Sequence, residues 1–413
     1  MPKSIAIIGT LDTKGDQLEY LKQLIERRGQ KVIFIDVGVL GEPFFKPTIT
    51  NQQVAQASGS TLEEIIALKN ECNAIEKMAK GASKVVQELY TAGKLNGIVA
   101  VGGSMGTDLA LKVMEILPVG IPKLILSTVA FSPAITADML NGDLMMLPWV
   151  AGLWKLNSIS KQALEKAAGA ISGAAEVYEK VRATDKKVVG VTAHGETSSW
   201  YMNPITPALE ERGYDVAMFH TTGMGGRLFE RVISDGLIAA SLDIAVGSEL
   251  VNEIAGGIAS AGKYRLEAAG KMGIPQIVSP GYIDAFHWGG DQPLPARYKD
   301  RPHHRHNRLL NVIISSTSEK AAAGELMAEK LNKAKGPTAV IIPMKGVRPR
   351  RIPGVIEDPF FKSILNAEPG LKAFHKALIK TLKPHVKVVV LDAGLNDLPY
   401  IDKVLELFDD MMK

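Results

Sequence analysis

The stretch that most constrains this chain is residues 97–111, Gly97-Ile-Val-Ala-Val-Gly-Gly-Ser-Met-Gly-Thr-Asp-Leu-Ala-Leu. A short apolar run, 98–101, reads as a buried strand. Glycines and hydroxyls fill 102–107, and a helical pattern starts at Asp108. Strand, glycine loop and helix in that order form the unit of a parallel sheet, with backbone amides and a helix N-terminus at its C-terminal edge. Such an edge favours an anion, because unpaired N–H groups and the helix dipole both carry partial positive charge. Glycine lets the backbone approach a phosphate, and Ser104 and Thr107 add hydroxyl donors. Gly102, Gly103 and Gly106 fit neither the P-loop spacing nor G-x-G-x-x-G. An ordinary tight strand-to-helix turn is the alternative.

The same plan recurs along the chain. Strand 4–8 leads through Gly9-Thr-Leu-Asp-Thr-Lys-Gly15 into a helix over 16–28, then strand 31–35 ends at Asp36. Residues 37–60 read as a polar loop over the sheet edge, and helical patterns cover 61–79 and 82–92. Strand 123–126 ends at Ser127 and Thr128, and a small-residue helix covers 160–181. Residues 182–187 lack apolar rhythm and mark a boundary. The expected fold is α/β: two Rossmann-like subdomains, 1–183 and 184–413, with mainly parallel sheets and a cleft between them.

With 413 residues and a net charge of +4, nothing in the composition argues for nucleic acid or a membrane surface. No apolar run is long enough to span a bilayer, and Met1-Pro-Lys-Ser leads straight into a strand, so no leader is expected. The single cysteine, Cys72, excludes an internal disulfide and reads as a small core residue. A cytoplasmic setting fits.

In open α/β sheets ligands bind beyond the C-terminal strand ends. The first half delivers Thr10, Asp12, Thr13, Lys14, Asp36, the 102–107 loop, Ser127 and Thr128 there. That set suits a nucleotide: amides and Lys14 for phosphates, a carboxylate for ribose or Mg2+. The second half delivers Thr192, His194, His220 with the glycine loop 223–226, Glu249, Asp284 and His306. His220, Glu249, Asp284 and His306 are the expected acid/base groups. No ligand pair at a fixed metal-binding spacing is present, so no metal site is assigned. The cationic stretches 297–308 and 345–351 read as solvated loops or as an anion-binding lid. Trp149, Trp154, Trp200 and Trp288 read as packing residues.

Gly9-Thr-Leu-Asp-Thr-Lys-Gly15, Gly102-Gly-Ser-Met-Gly-Thr107, His220-x-x-Gly-x-Gly-Gly-Arg227, Glu249 in Gly247-Ser-Glu-Leu, Arg265-Leu-Glu-Ala268 and Pro280-Gly-x-x-Asp284 together resemble a known family. It is the ATP-binding domain family named after the plant tobamovirus-resistance protein. The resemblance implies ATP, with Mg2+, as cofactor and a homodimer or higher homo-oligomer. It also implies Thr10, Asp12, Thr13, Lys14, Gly102, Gly103, Ser104, Gly106 and Thr107 as nucleotide contacts. The sequence departs from the family at Gly195-Glu-Thr-Ser-Ser, at 345–351 and at Ala285-Phe-His-Trp288. Two functional readings stand. One is an ATP-dependent enzyme acting on a small metabolite; the other is a nucleotide-binding sensor or interaction module without turnover.

Overall fold

The structure, a computed structural model, describes residues 2–140, 142–149, 152, 154–179, 186–348, 360 and 368–413. Two compact units divide the chain, Met1–Arg182 and Ala183–Lys413. Each is built on a parallel sheet, as the alternation of strands and helices requires.

In the N-terminal unit the strands are β1 (Ser4–Gly9), β2 (Lys31–Asp36), β3 (Gly97–Gly102), β4 (Lys123–Ser127) and β5 (Met145–Pro148). They lie in the order β2-β1-β3-β4-β5, every pair parallel. Strand side chains alternate between faces, so both faces must be covered. Ile5, Ile7, Val99 and Val101 pack with helices Leu11–Arg27 and Ser158–Val177. Ala6, Ile8, Ile98 and Ala100 pack on the other face with Asn51–Ser58, Glu71–Thr91 and Ser104–Glu115.

Several expectations shift here. The first helix starts at Leu11, with a break at Lys14, so most of the presumed 9–15 loop is a helical turn. The helix after β3 starts at Ser104 rather than Asp108. Residues 37–60 contain a helix capped at both ends: Thr50 and Gln53 form a capping box, and Gly59 closes it in the left-handed region. Cys72 is exposed rather than in the core. Trp149 is buried, but Trp154 and Trp200 are surface residues.

The C-terminal unit has β6 (Val188–Ala193), β7 (Asp215–His220), β8 (Ala240–Asp243), β9 (Gln276–Val278), β13 (Thr338–Pro343) and β14 (Lys387–Leu391). Their order is β14-β13-β9-β8-β6-β7, again all parallel. Strands β10 (Ala285–Gly289), β11 (His303–Arg305) and β12 (Leu310–Ile314) form a separate antiparallel sheet, β10-β12-β11. The run 310–314 therefore does not join the parallel sheet. The basic stretch 297–308 is partly ordered by it: Arg297 and Arg301 lie 4.7 and 4.8 Å from the Tyr298 ring, and Arg305 pairs with Asp291.

Each parallel sheet has one place where the chain turns back across its first strand. In the N-terminal unit it lies between β1 and β3; in the C-terminal unit, between β6 and β8. Beyond the C-terminal ends of such strand pairs a crevice opens, because the following loops diverge.

Candidate functional site

At the β1/β3 edge, Gly103 is the N-cap of helix Ser104–Glu115, and no side chain caps it. Gly102 is required for packing: a Cβ there would stand 2.8 Å from Gly106 Cα. Opposite, the exposed hydroxyls of Thr10 and Thr13 meet at 2.6 Å. Asp12 accepts the Leu40 N–H through Oδ2 at 2.7 Å, while its buried Oδ1 has no hydrogen-bond partner. Thr128 and Gly103 face one another, with space at Gly103 for a Cβ 3.6 Å from Thr128 Oγ1.

Three expected nucleotide contacts point inward instead. Asp36 is buried and accepts the amides of Leu11 and Gly38 at 3.1 and 3.0 Å, so it ties the loops after β1 and β2 together. Burial pushes its carboxyl up, against those amides. Thr107 and Ser127 hydroxyls bond each other at 2.7 Å out of solvent.

In the C-terminal unit the glycine loop 223–226 is already filled by an internal anion. Glu249 Oε1 accepts the amides of Gly223 and Gly226 at 2.9 and 3.1 Å, at the start of helix Met224–Ser234. Its Oε2 accepts Arg265 Nε at 2.6 Å. A Cβ at Gly226 would fall 2.1 Å from Oε2, so glycine there admits the carboxylate. Arg265 also grips Asp243, with Nη2 to Oδ1 at 2.7 Å, and reaches Glu230 at 3.0 Å. Asp243 in turn receives Thr192 Oγ1 at 2.8 Å. Burial opposes the charge on Arg265, but Asp243 and Glu249 outweigh it and hold its pKa well above the usual range. Glu249, expected as an acid/base group, thus has both oxygens committed to the scaffold, and the Thr192 hydroxyl, which also accepts the Ala245 amide, is committed there too.

The chemistry-bearing cluster centres on His194, which follows β6 at the crossover point. Its ring lies 4.7 Å from Tyr282, 5.4 Å from His287 and 5.7 Å from His220, centroid to centroid. Its protonation follows from its neighbours. Thr221 Oγ1 donates to the Ala193 carbonyl at 3.1 Å, so it accepts at His194 Nδ1, 3.2 Å away. That assigns the proton to Nδ1 and leaves Nε2 as an unprotonated base. For His287 the logic is reversed. Asn252 Oδ1 accepts the His287 amide at 2.9 Å, so its Nδ2 faces His287 Nδ1 as donor at 3.3 Å. The His287 proton is then on Nε2.

Both rings are neutral. Burial pushes His287 down to about 4, helped by the Arg348 charge, and pushes His194 well below the usual histidine range. Tyr282 stands beside them with φ 63°, a left-handed conformation that costs a bulky residue of order 1–3 kcal/mol. Its hydroxyl meets Ser198 at 3.0 Å and Thr197 at 3.1 Å. Arg348 stacks 5.0 Å over the Tyr282 ring and holds both oxygens of Asp284, at 2.8 and 3.1 Å.

Of the expected acid/base residues, His220 sits at the exposed side of this cluster. Asp284 is buried at its base, paired to Arg348. His306 is exposed, its ring 6.4 Å from His304, and adds to the field that keeps His287 neutral. The sequence reading missed His287, Tyr282 and Arg348 as site residues. Their only signal was position: Tyr282 lies inside Pro280-Gly-Tyr-Ile-Asp, and His287 and Arg348 fall in two of the three stretches that depart from the resembled family. Arg350 and Arg351 lie outside the described residues.

Residues 3–180 match the N-terminal domain, and 186–412 the C-terminal domain, of the uncharacterised protein family UPF0261. The chain belongs to this family. A UPF0261 protein of Brucella suis is 38% identical over 405 residues, covering 98% of this chain and 94% of the relative. The tomato ToMV resistance protein Tm-1(GCR237) is 28% identical over 427 residues, covering 97% of this chain and 55% of that protein. Among solved structures, the UDP-GlcNAc 2-epimerase from Methanocaldococcus jannaschii is 12% identical, with 99% and 100% of the chains covered and a TM-score of 0.24.

Proposed function

We propose that the chain is an ATP-dependent enzyme acting on a small metabolite, with ATP at the β1/β3 edge of the N-terminal unit and acid/base chemistry at the His194 cluster. The observation that carries the catalytic half is the pair of neutral imidazoles of opposite tautomer. His194 Nε2 is a base, and His287 Nε2–H is a donor, within one cluster that is half-buried at His194 and buried at His287. Such a pair can take a proton from a substrate and steady the charge that develops on it.

The nucleotide half rests on the family resemblance and on the donor set. The uncapped amides of helix Ser104–Glu115 suit phosphate oxygens, and the Thr10 and Thr13 hydroxyls stand at the start of the helix that follows the adjacent strand β1. Asp12, with an orphaned buried oxygen, fits Mg2+. Asp36 does not fit a ribose contact, because it is buried and its Oδ1 is taken by two amides. A homodimer belongs to the same reading.

The commitment of Glu249, Asp284 and Asp36 to internal partners favours a second reading: a nucleotide-binding module without turnover. Titration with ATP and Mg2+, followed by assay of ADP or AMP release with and without a metabolite pool, separates the two. Metabolite-dependent release that His194→Ala abolishes while leaving ATP affinity intact supports the enzyme. Saturable binding without release supports the module, and absence of binding sinks both.

A further inference from the structure

Arg265 and Arg348 of the C-terminal unit have side chains nine-tenths or more buried. Arg265 is fully engaged: Nε, Nη1 and Nη2 meet the carboxylates of Glu249, Glu230 and Asp243. Arg348 is engaged on one side only. Its Nε and Nη2 hold Asp284, and Nη1 has no hydrogen-bond partner among the described residues. Nη1 is not one of the buried orphan atoms either, so that end of the guanidinium stays reachable, with 10% of the side chain open.

The rest of its surroundings fix it in place. Arg348 follows the C-terminal end of β13, the side of a parallel sheet where ligands bind. The Tyr282 amide bonds the Val347 carbonyl, and the Leu395 amide bonds the Gly346 carbonyl, both at 2.9 Å. The turn that carries Arg348 is thus pinned by two other loops. The Tyr282 ring covers one face of the guanidinium, 5.0 Å from Cζ, and the same ring stands 4.7 Å from that of His194. After burial, the Arg348 charge is the strongest influence on the protonation of both His194 and His287, so it lies close to both rings.

A guanidinium carries five N–H donors in a fixed planar fork. Asp284 takes the edge formed by Nε and Nη2, and Tyr282 takes a face. What remains is the edge where Nη1 and Nη2 present two parallel N–H groups. A planar anion with two oxygens fits such an edge bidentately. Charge narrows the choice further. Asp284 already balances the guanidinium, and both imidazoles are neutral, so a monoanion is cheaper to bury there than a phosphate dianion.

We propose that Arg348 anchors a substrate carboxylate, and that the metabolite handled at the His194 cluster is a small carboxylic acid held by Nη1 and Nη2 beside the two imidazoles. The inference rests on reading that cluster as the substrate site, and it is independent of nucleotide binding. It divides the work of the site. The guanidinium fixes the carboxylate and moves no proton, while the imidazoles act on the atoms next to it.

The test titrates the full chain with glycolate and lactate, with their uncharged amides glycolamide and lactamide, and with inorganic phosphate. Binding is read from the His194 and His287 ring resonances by NMR, assigned with the His194→Gln and His287→Gln variants. Each carboxylate should bind about tenfold or more tighter than its amide, the ratio that one charge-assisted hydrogen bond supplies. Arg348→Lys keeps the charge but loses the fork, and should weaken the carboxylates about tenfold while leaving the amides unchanged. Arg348→Met alone strands the buried Asp284 carboxylate, so the paired variant Arg348→Met/Asp284→Asn is the stronger control. It should fold, as urea unfolding checks, and bind carboxylate and amide alike; if it does not fold, Arg348→Lys decides. No preference for either carboxylate over its amide, tighter binding of phosphate, or a preference that survives the paired variant overturns the proposal. Turnover of the same samples reads the acid/base assignment separately: a carboxylate preference without His194-dependent turnover sinks that assignment and leaves the anchor standing.

Discussion

Glu249 caps the helix that begins at Met224, with its carboxylate on the amides of Gly223 and Gly226, in the place where a phosphate would otherwise sit. Gly226 has no side chain because a Cβ would collide with Oε2 at 2.1 Å. Replacing Glu249 by Ala leaves two buried amides unpaired and removes a partner from Arg265. A loss of about 3–5 kcal/mol in unfolding free energy is expected, as for a broken buried pair. Glu249→Gln keeps an acceptor for the amides and should lose less. Urea unfolding checks both. If Glu249→Ala unfolds like the parent chain but loses activity, the carboxylate is a reacting group and the scaffold role is wrong.

The neighbouring glycine predicts a contrast. A Cβ at Gly225 would lie 1.8 Å from the His220 carbonyl oxygen, so Gly225→Ala must displace the end of β7. It should cost about 1–3 kcal/mol, the usual penalty of forced overpacking. Gly173, exposed in helix Ser158–Val177 with open space around it, should behave in the opposite way. Gly173→Ala is expected to add about 0.5–1 kcal/mol, because alanine loses less backbone freedom in a helix. Thermal and urea unfolding of the two variants side by side test the pair.

The hydroxyls of Thr10 and Thr13 are exposed and, among the described residues, bond each other. Their joint replacement by Ala should change stability by no more than about 0.5 kcal/mol. Hydrogen bonds to a charged group contribute about 1.5–3 kcal/mol, so ATP affinity should fall by about tenfold or more. Asp36→Ala should do the reverse and lower stability, because two buried amides lose their acceptor. Calorimetric titration with ATP and Mg2+ reads the first effect. Unchanged affinity in the double variant removes these hydroxyls from the nucleotide site.

Acid should destabilise the C-terminal unit in a defined window. His287 falls from 6.5 to about 4 on folding, so the unfolded chain binds the proton more tightly than the folded one. Its stabilising contribution is complete above about pH 6.5 and is lost as pH falls toward 4. The shift corresponds to roughly 3 kcal/mol for this group alone. His194 acts in the same direction. His287→Asn, which offers an oxygen near the position of Nδ1, should flatten the decline measured by urea unfolding across that range. An equally steep decline in the variant would assign the acid sensitivity to other groups.

The sequence by itself determined the plan of the chain. Apolar runs of strand length, separated by helical periodicity, dictate a parallel α/β sheet, since each strand must bury both faces and each crossover needs a helix. The same logic put Thr10, Thr13 and the glycines after β3 at a C-terminal sheet edge. Only the tertiary structure decided which polar residues face a ligand and which hold the scaffold. Asp36, Thr107, Ser127 and Glu249 have the residue types of a binding site, yet each meets a partner brought from elsewhere in the chain. Asp36 finds Leu11, and Glu249 finds Gly223 and Arg265. Conversely, His194, Tyr282, His287 and Arg348 are spread over three strand ends and a separate antiparallel strand. No spacing rule joins them, because their meeting depends on strand order and on burial, and burial is what sets the protonation of both imidazoles.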